Sequence, residues 1–457
     1  MSDYYVLGSG PVGSIVSTYL LERGFAVTVI DNSNNFVEQH DGQFIKKKVK
    51  DIFSKKFVTY SKEKKILPAS SRAKGGFSEV WGGTLHLLDK EDFNNWYFKQ
   101  DDLSSQYEYI IKKLDLPVKI NNENNEHFAS SLIKNYDDEI NIIYSKLINN
   151  KDNIKKNHVS FSKASLFLKG EAIWSSSKLL EELSEKYGEN FNYIQNYEVT
   201  DIKENKSQII LYSDKEKYII NNSKLIVATG GLSSSYLASK LLMKDNFKIS
   251  NSTLKVFPLI WFGKKSKKNS INTFPQLYFD FKRKNEFTVR TQLYSLNKNF
   301  IETVNISAIP KTVLKGVSKI FRNRIFILFT YSHSTKSTYF DFKIKSEKIY
   351  LDNINKINSK DIWFVYFRLI KIFFKTLIFP LPITKKFNEY GSFHIGSSYI
   401  QKDKLNIKNN ESNKFGQLID NSNVHFVDSA VMPDIPSGPV TLTSMALALK
   451  VVDKIIE

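Results

Sequence analysis

Residues 8 to 13 read Gly-Ser-Gly-Pro-Val-Gly, and their flanks constrain the fold more than any other feature of the chain. Tyr4 to Leu7 is a short apolar run suited to a buried strand. A helical stretch follows to Arg23, where Gly24 stops it, and Phe25 to Ile30 is a second strand closed by Asp31. Strand, tight turn, helix and strand are the context in which a G-x-G-x-x-G string carries meaning. Gly8 permits the turn. Gly10 lets the backbone approach a pyrophosphate at the helix N-terminus, and Gly13 lets helix and strand pack closely. Asp31, 18 residues beyond Gly13, is placed to accept from ribose hydroxyls. An acid there repels a 2′-phosphate, which disfavours NADP. The motif alone does not separate NAD from FAD.

Length and composition close other routes. A chain of 457 residues holds two domains or one large α/β body. It has no cysteine, which excludes disulfides, thiolate zinc sites, iron–sulfur clusters and cysteine nucleophiles. Any redox chemistry is then expected from a bound cofactor, and no metal site is read. Lys and Arg number 66 against 47 Asp and Glu, a net charge of +19. That excess suits nucleic acid, an anionic membrane surface or acidic substrates. Runs of Lys and Asn make a compositional origin the plainer one, and no nucleic-acid recognition motif is present. The N-terminus lacks a basic leader, and no uncharged apolar run reaches about 18 residues. A cytoplasmic chain without a transmembrane helix is expected, with peripheral membrane contact left open.

The stretch Ser71 to Trp96 reads SRAKGGFSEVWGGTLHLLDKEDFNNW. Paired glycines at Gly75-Gly76 and Gly82-Gly83 bracket Ser78 and Trp81. Such pairs suit backbone lying flat against a planar ligand. The string resembles the GG-x-S-x-x-WGG segment of the glucose–methanol–choline oxidoreductases, in which this loop follows the isoalloxazine and pyrophosphate of FAD. The resemblance continues through Asp89, Asp92-Phe93, Asp102-Leu103 and Tyr107. Leu225 to Gly231 (LIVATGG) looks like the strand and turn that return to the flavin domain, ahead of a helix near Ser233. Tyr193 to Ile202 resembles the strand that meets the adenine, with Val199 at the contact. Asn423 to Ile455 is similar to the family's closing segment. There the resemblance places Asp428 at the ribityl–pyrophosphate region with Ser429 beside it, and the start of the Thr441–Ile455 helix at the flavin pyrimidine. A helix N-terminus there favours the negative charge of a reduced flavin. Together the matches cover about half the chain, at both ends.

The resemblance implies FAD, hydride transfer and a histidine base. In YGSFHIGSSYI, residues 390 to 400, His394 holds the position of that base. Tyr399 and Ile400 replace the family's Arg-Met. The second catalytic residue, His or Asn in relatives, is here Pro439, which offers no side-chain hydrogen bond. Two readings follow: an FAD-dependent oxidoreductase acting on an alcohol of a sugar, polyol or glycolipid, or a flavoprotein of the same fold that has lost alcohol oxidation. Glu79 and Val80 stand where some relatives carry a flavin-linked histidine, so FAD is expected to be non-covalent. His86 reads as structural.

The expected architecture is α/β: a Rossmann-like FAD-binding domain on a parallel sheet, with an inserted α+β substrate domain on an antiparallel sheet. Residues 1–95, 165–249 and 387–457 form the first, and 96–164 and 250–386 the second. Within the insert, residues 277–281, 288–294, 325–332 and 339–344 alternate or run apolar like strands. Residues 121–157 read as loops and a surface helix. Basic residues gather in two stripes at helical spacing: Lys311, Lys315, Lys319 and Arg322, then Arg368, Lys371 and Lys375. The second lies on the apolar stretch 362–379. That pattern fits a buried helix with one wet edge, the plainer alternative, or a segment in an anionic membrane interface serving a lipid-linked substrate. Substrate identity and electron acceptor are not legible.

Overall fold

A computed structural model of the chain describes residues 2–33, 59–60, 65–66, 70–79, 81–116, 118–119, 128–129, 138–169, 172–263, 274–283, 286–296, 324–346, 348–355, 361–373, 377–381, 385–386, 394–403, 407–408 and 410–457. Five strands form a wholly parallel sheet. In spatial order they are Phe191–Ile194, Val27–Ile30, Tyr4–Leu7, Lys224–Val227 and Val424–Phe426. The three inner strands, Val27–Ile30, Tyr4–Leu7 and Lys224–Val227, are mostly apolar and buried on both faces, as a sheet covered on both sides requires. Tyr4, Val6, Val27, Val29 and Ile226 pack under helices Pro11–Leu21, Ser104–Lys113, Ser176–Tyr187 and Thr441–Ile456. Tyr5, Leu7, Ile30, Leu225 and Val227 face the other way, against helix Gly231–Leu241 and the three-stranded sheet Asp201–Glu204, Gln208–Tyr212 and Lys217–Asn221.

A seven-stranded antiparallel sheet roofs this unit. Its main path runs Ile378–Pro380, Leu254–Trp261, Ile325–Tyr331, Val289–Ser295, Leu277–Phe281 and Val159–Lys163, and Lys385–Lys386 also pairs with 254–261. Register divides the roof into two faces. Phe257, Leu259, Phe279, Phe281, Leu293, Phe326 and Leu328 share one apolar face, covered by helices Asp138–Ile148, Lys151–Lys156 and Asp361–Phe373. Tyr278, Asp280, Arg290, Gln292, Tyr294, Phe329 and Tyr331 share the opposite face. A six-stranded sheet contains Asn246–Asn251, Tyr339–Lys345 and Lys348–Asn355.

The mixed α/β architecture matches the expectation. Three local readings change. Residues 193–202 are not one strand: the first ends at Ile194, Asn196 turns at φ +61°, and pairing resumes at Asp201. Among the described residues of the 362–379 stretch, the helix is Asp361–Phe373. Beyond it Leu377 has φ +62° and residues 378–380 join the roof as a strand. The helix expected near Ser233 begins at Gly231. The 311–322 stripe and Lys375 lie outside the described residues.

Candidate active site

A cleft of about 290 Å³ opens at the carboxyl ends of the central parallel strands. That is where ligands bind in open α/β sheets. Leu7, Gly8 and Gly10 line it at the end of the first strand. Asp31, Tyr197 and Val199 lie at one side, and His394, Asp428, Ser429 and Thr441 also face it.

The glycine turn obeys tight constraints. Gly8 has φ +104°, and a Cβ there would stand 2.6 Å from the Ala228 carbonyl oxygen. A Cβ on Gly13 would meet the Gly8 oxygen at 1.9 Å. Gly10 has open space before it and caps a helix whose first residue is Pro11. The first amides of that helix therefore have no earlier turn to bond to, as phosphate binding requires. Gly76 approaches Gly10 closely enough that its Cβ would lie 3.2 Å from the Gly10 Cα, which joins the two glycine motifs in space. Ser78 and Trp81 also line the cleft. Ser78 Oγ donates to the Gly75 oxygen at 2.6 Å and accepts from the Ser176 amide at 2.9 Å, and Trp81 Nε1 donates to the Trp174 oxygen. Gly13, Gly75, Gly82 and Gly83 sit behind the lining. A Cβ on Gly83 would strike Ile173 at 2.6 Å, so close packing accounts for that glycine.

Asp31 accepts from Ser9 Oγ at 2.5 Å and Tyr193 OH at 2.9 Å. Burial raises its pKa, while these hydroxyls pull the other way. Asp428 ties three segments together. Its Oδ2 accepts from the Gly230 amide at 2.7 Å and Ser234 Oγ at 2.5 Å, and its Oδ1 accepts from the Ala430 amide at 2.9 Å. The Ser429 oxygen accepts from the Ser397 amide at 2.8 Å, which anchors the strand that follows His394. Glu79, behind the wall, is pushed up to about 7 by burial despite hydrogen bonds from Ser177 and Ser78.

His394 enters the cleft from the strand end beside Ile395–Gly396, where its oxygen accepts from the Ser252 amide. Its ring stacks on Tyr331 of the roof, with centroids 5.1 Å apart and planes at 29°. Burial lowers its pKa to about 4, so the imidazole is neutral at pH 7 and able to accept a proton. Val440, Thr441 and Ser444 bring the start of helix 441–456 to the same cleft. Pro439 is buried one residue before Val440.

Two features went unread in the sequence. Tyr331 was one, in a strand recognised only by its apolarity. The other is Arg290, fully buried in the roof. Its guanidinium donates to both Asp92 oxygens at 3.0 and 2.5 Å, to Asp89 at 3.0 Å and to the Ser437 carbonyl at 3.0 Å. Asp280 stands 3.6 Å from its Nε and is pushed up to about 7 by burial, against the pull of Arg290. The Arg290 contact with Ser437 braces the turn that leads into helix 441–456. A charged residue inside a strand that is otherwise buried was the available signal, since such a residue demands partners. In the sequence Asp89 and Asp92 stand out only as part of a motif.

Parallel sheet, glycine turn at its carboxyl edge and antiparallel roof make up a mixed α/β fold of the kind the sequence resemblance implies. The solved structure of pyridoxine 4-oxidase from Mesorbium loti is similar to the chain, with a TM-score of 0.67 over 99% of this chain and 99% of that one, at 11% sequence identity. No protein-family model and no curated protein sequence matches.

Proposed function

We propose that the chain is an FAD-dependent oxidoreductase that oxidises an alcohol CH–OH group. One observation carries this reading: a neutral histidine faces the same cleft as a glycine turn and two helix N-termini. The residues fit FAD held non-covalently. Gly10 and the 11–21 helix would take the pyrophosphate, Asp31 and Val199 the adenosine side, and Asp428 and Ser429 the ribityl side. The amides at Thr441 would face the pyrimidine. Bound there, FAD supplies the hydride acceptor. His394 takes the hydroxyl proton as the carbon gives up hydride, which leaves a carbonyl product. Tyr331 holds the imidazole plane, and the helix 441–456 N-terminus favours negative charge beside it. A sugar, polyol or glycolipid hydroxyl is the substrate class favoured, and the similarity to a pyridoxine 4-oxidase makes pyridoxine a further candidate.

Pro439 favours a second reading, a flavoprotein of this fold that no longer oxidises alcohols, because it puts no donor where a second catalytic group would stand. Anaerobic mixing with sugars, polyols, glycolipids and pyridoxine separates the two. Flavin bleaching that disappears in His394→Ala supports alcohol oxidation. A bound flavin that no alcohol reduces favours the second reading.

A further inference from the structure

We propose that the outer helical layer of the roof docks on an anionic phospholipid bilayer. This stands independently of the flavin chemistry, because the layer covers the sheet face opposite the one that carries Tyr331 and Arg290.

Helix 361–373 buries Val365, Leu369 and Ile372 against the roof. Its outer side ought then to be polar. Instead Trp363 is 51% exposed, Phe367 60% and Ile370 39%. Their spacing of 4 and 3 residues places them in one stripe. Ile142 and Ile148 are exposed on the neighbouring helix 138–148. Five of the eleven large apolar side chains exposed among the described residues thus belong to this layer. Isolated exposed apolar residues are ordinary, but such a concentration marks a contact surface.

Charge selects the occupant. Asp361, the one acid on helix 361–373, is buried and paired with Arg283 at 3.0 Å. From residue 362 to 388 the sequence has five Lys or Arg and no Asp or Glu. Lys371 is exposed beside Phe367 and Ile370. Arg368 Nη1 donates to the Asn157 oxygen at 2.7 Å, which brings the end of helix 151–156 alongside. That helix exposes Lys155 and Lys156, with Lys151 and Asp152 at its start. Trp and Phe at the centre with ammonium groups around them suit a headgroup boundary: rings enter the acyl edge and lysines reach anionic phosphates. No helix among the described residues is long and apolar enough to cross a membrane, so the contact is one of lying on the surface. The cleft is on the far side of the sheet, so docking anchors the molecule rather than opening the cleft onto lipid.

Flotation of the full chain with vesicles of phosphatidylcholine and phosphatidylglycerol in equal parts tests this. Trp363 is the one exposed tryptophan of five, so brominated lipid reads its insertion directly. The wild type is expected to float and to lose Trp fluorescence. Pure phosphatidylcholine should bind far less, and Lys155→Glu/Lys156→Glu/Lys371→Glu should lower partitioning by roughly ten-fold or more. Phe367→Ser should reduce quenching with an unchanged far-UV circular dichroism spectrum. Absence of flotation, or equal flotation of the charge-reversed protein, overturns the proposal. So does a wild-type dimer that Phe367→Asp dissociates in the absence of vesicles, which would make the surface an interface between copies.

Discussion

Replacing Arg290 with Met keeps the length of the side chain and removes its charge. Four hydrogen bonds to Asp92, Asp89 and the Ser437 carbonyl are lost, and Asp280 loses its nearby cation. Asp92 is completely buried and Asp89 nearly so, and only Lys282, 3.6 Å from Asp89, remains as a described cation at the cluster. Breaking a buried pair from one side costs about 3–5 kcal/mol, because the orphaned charge stays in a dry site. The loss also depends on pH. Without Arg290 the native carboxylates titrate above their unfolded values, so the native state binds more protons at neutral pH. Stability of the variant should therefore be higher below the unfolded carboxylate pKa and fall as pH rises through the raised native values. Urea unfolding midpoints at pH 7.5 and 5.5 read both effects. A deficit of several kcal/mol at pH 7.5 that shrinks at 5.5, and again in Arg290→Met/Asp92→Asn, is expected. A deficit below about 1 kcal/mol, or one independent of pH, would refute the claim that Arg290 neutralises a buried acidic cluster.

Two further outcomes concern the glycine turn and the buried histidines His394 and His425. Gly13→Ala should prevent the turn from closing, since its Cβ would stand 1.9 Å from the Gly8 oxygen, whereas Gly10→Ala meets no protein atom within 4 Å and should leave the urea midpoint nearly unchanged while weakening flavin binding. Equal flavin retention in Gly10→Ala and wild type would contradict a pyrophosphate at that turn. Burial lowers His394 and His425 to about 4, so from the ordinary histidine value of 6.5 downward the unfolded chain takes up protons that the native chain refuses. Stability should fall as pH drops from 6.5 towards 4, by up to about 3 kcal/mol for each histidine, and His425→Gln should flatten the slope seen in urea unfolding.

What could be read from the sequence was what local spacing controls. The 8–13 turn needs its glycines within six residues, and strands such as 277–281 and 325–331 announce themselves by apolar runs. Asp428 and His394 were visible because short strings around them carry the pattern. Arg290 and its acids were not, since about 200 residues separate partners that only the roof's register brings together. Tyr331 meets His394 for the same reason. The 193–202 segment read as one strand because Asn196 is an unremarkable polar residue until its positive φ turns the chain. Glycine pairs at 75–76 and 82–83 looked alike, yet Gly76 touches the first glycine turn while Gly83 makes room for Ile173.

Titration of the purified, folded protein with FAD tests the central claim most directly. Saturable binding of one FAD per chain is expected, with flavin absorbance that survives gel filtration and flavin that denaturation releases, since it is not covalently attached. A folded wild-type chain that binds no FAD during reconstitution would contradict it.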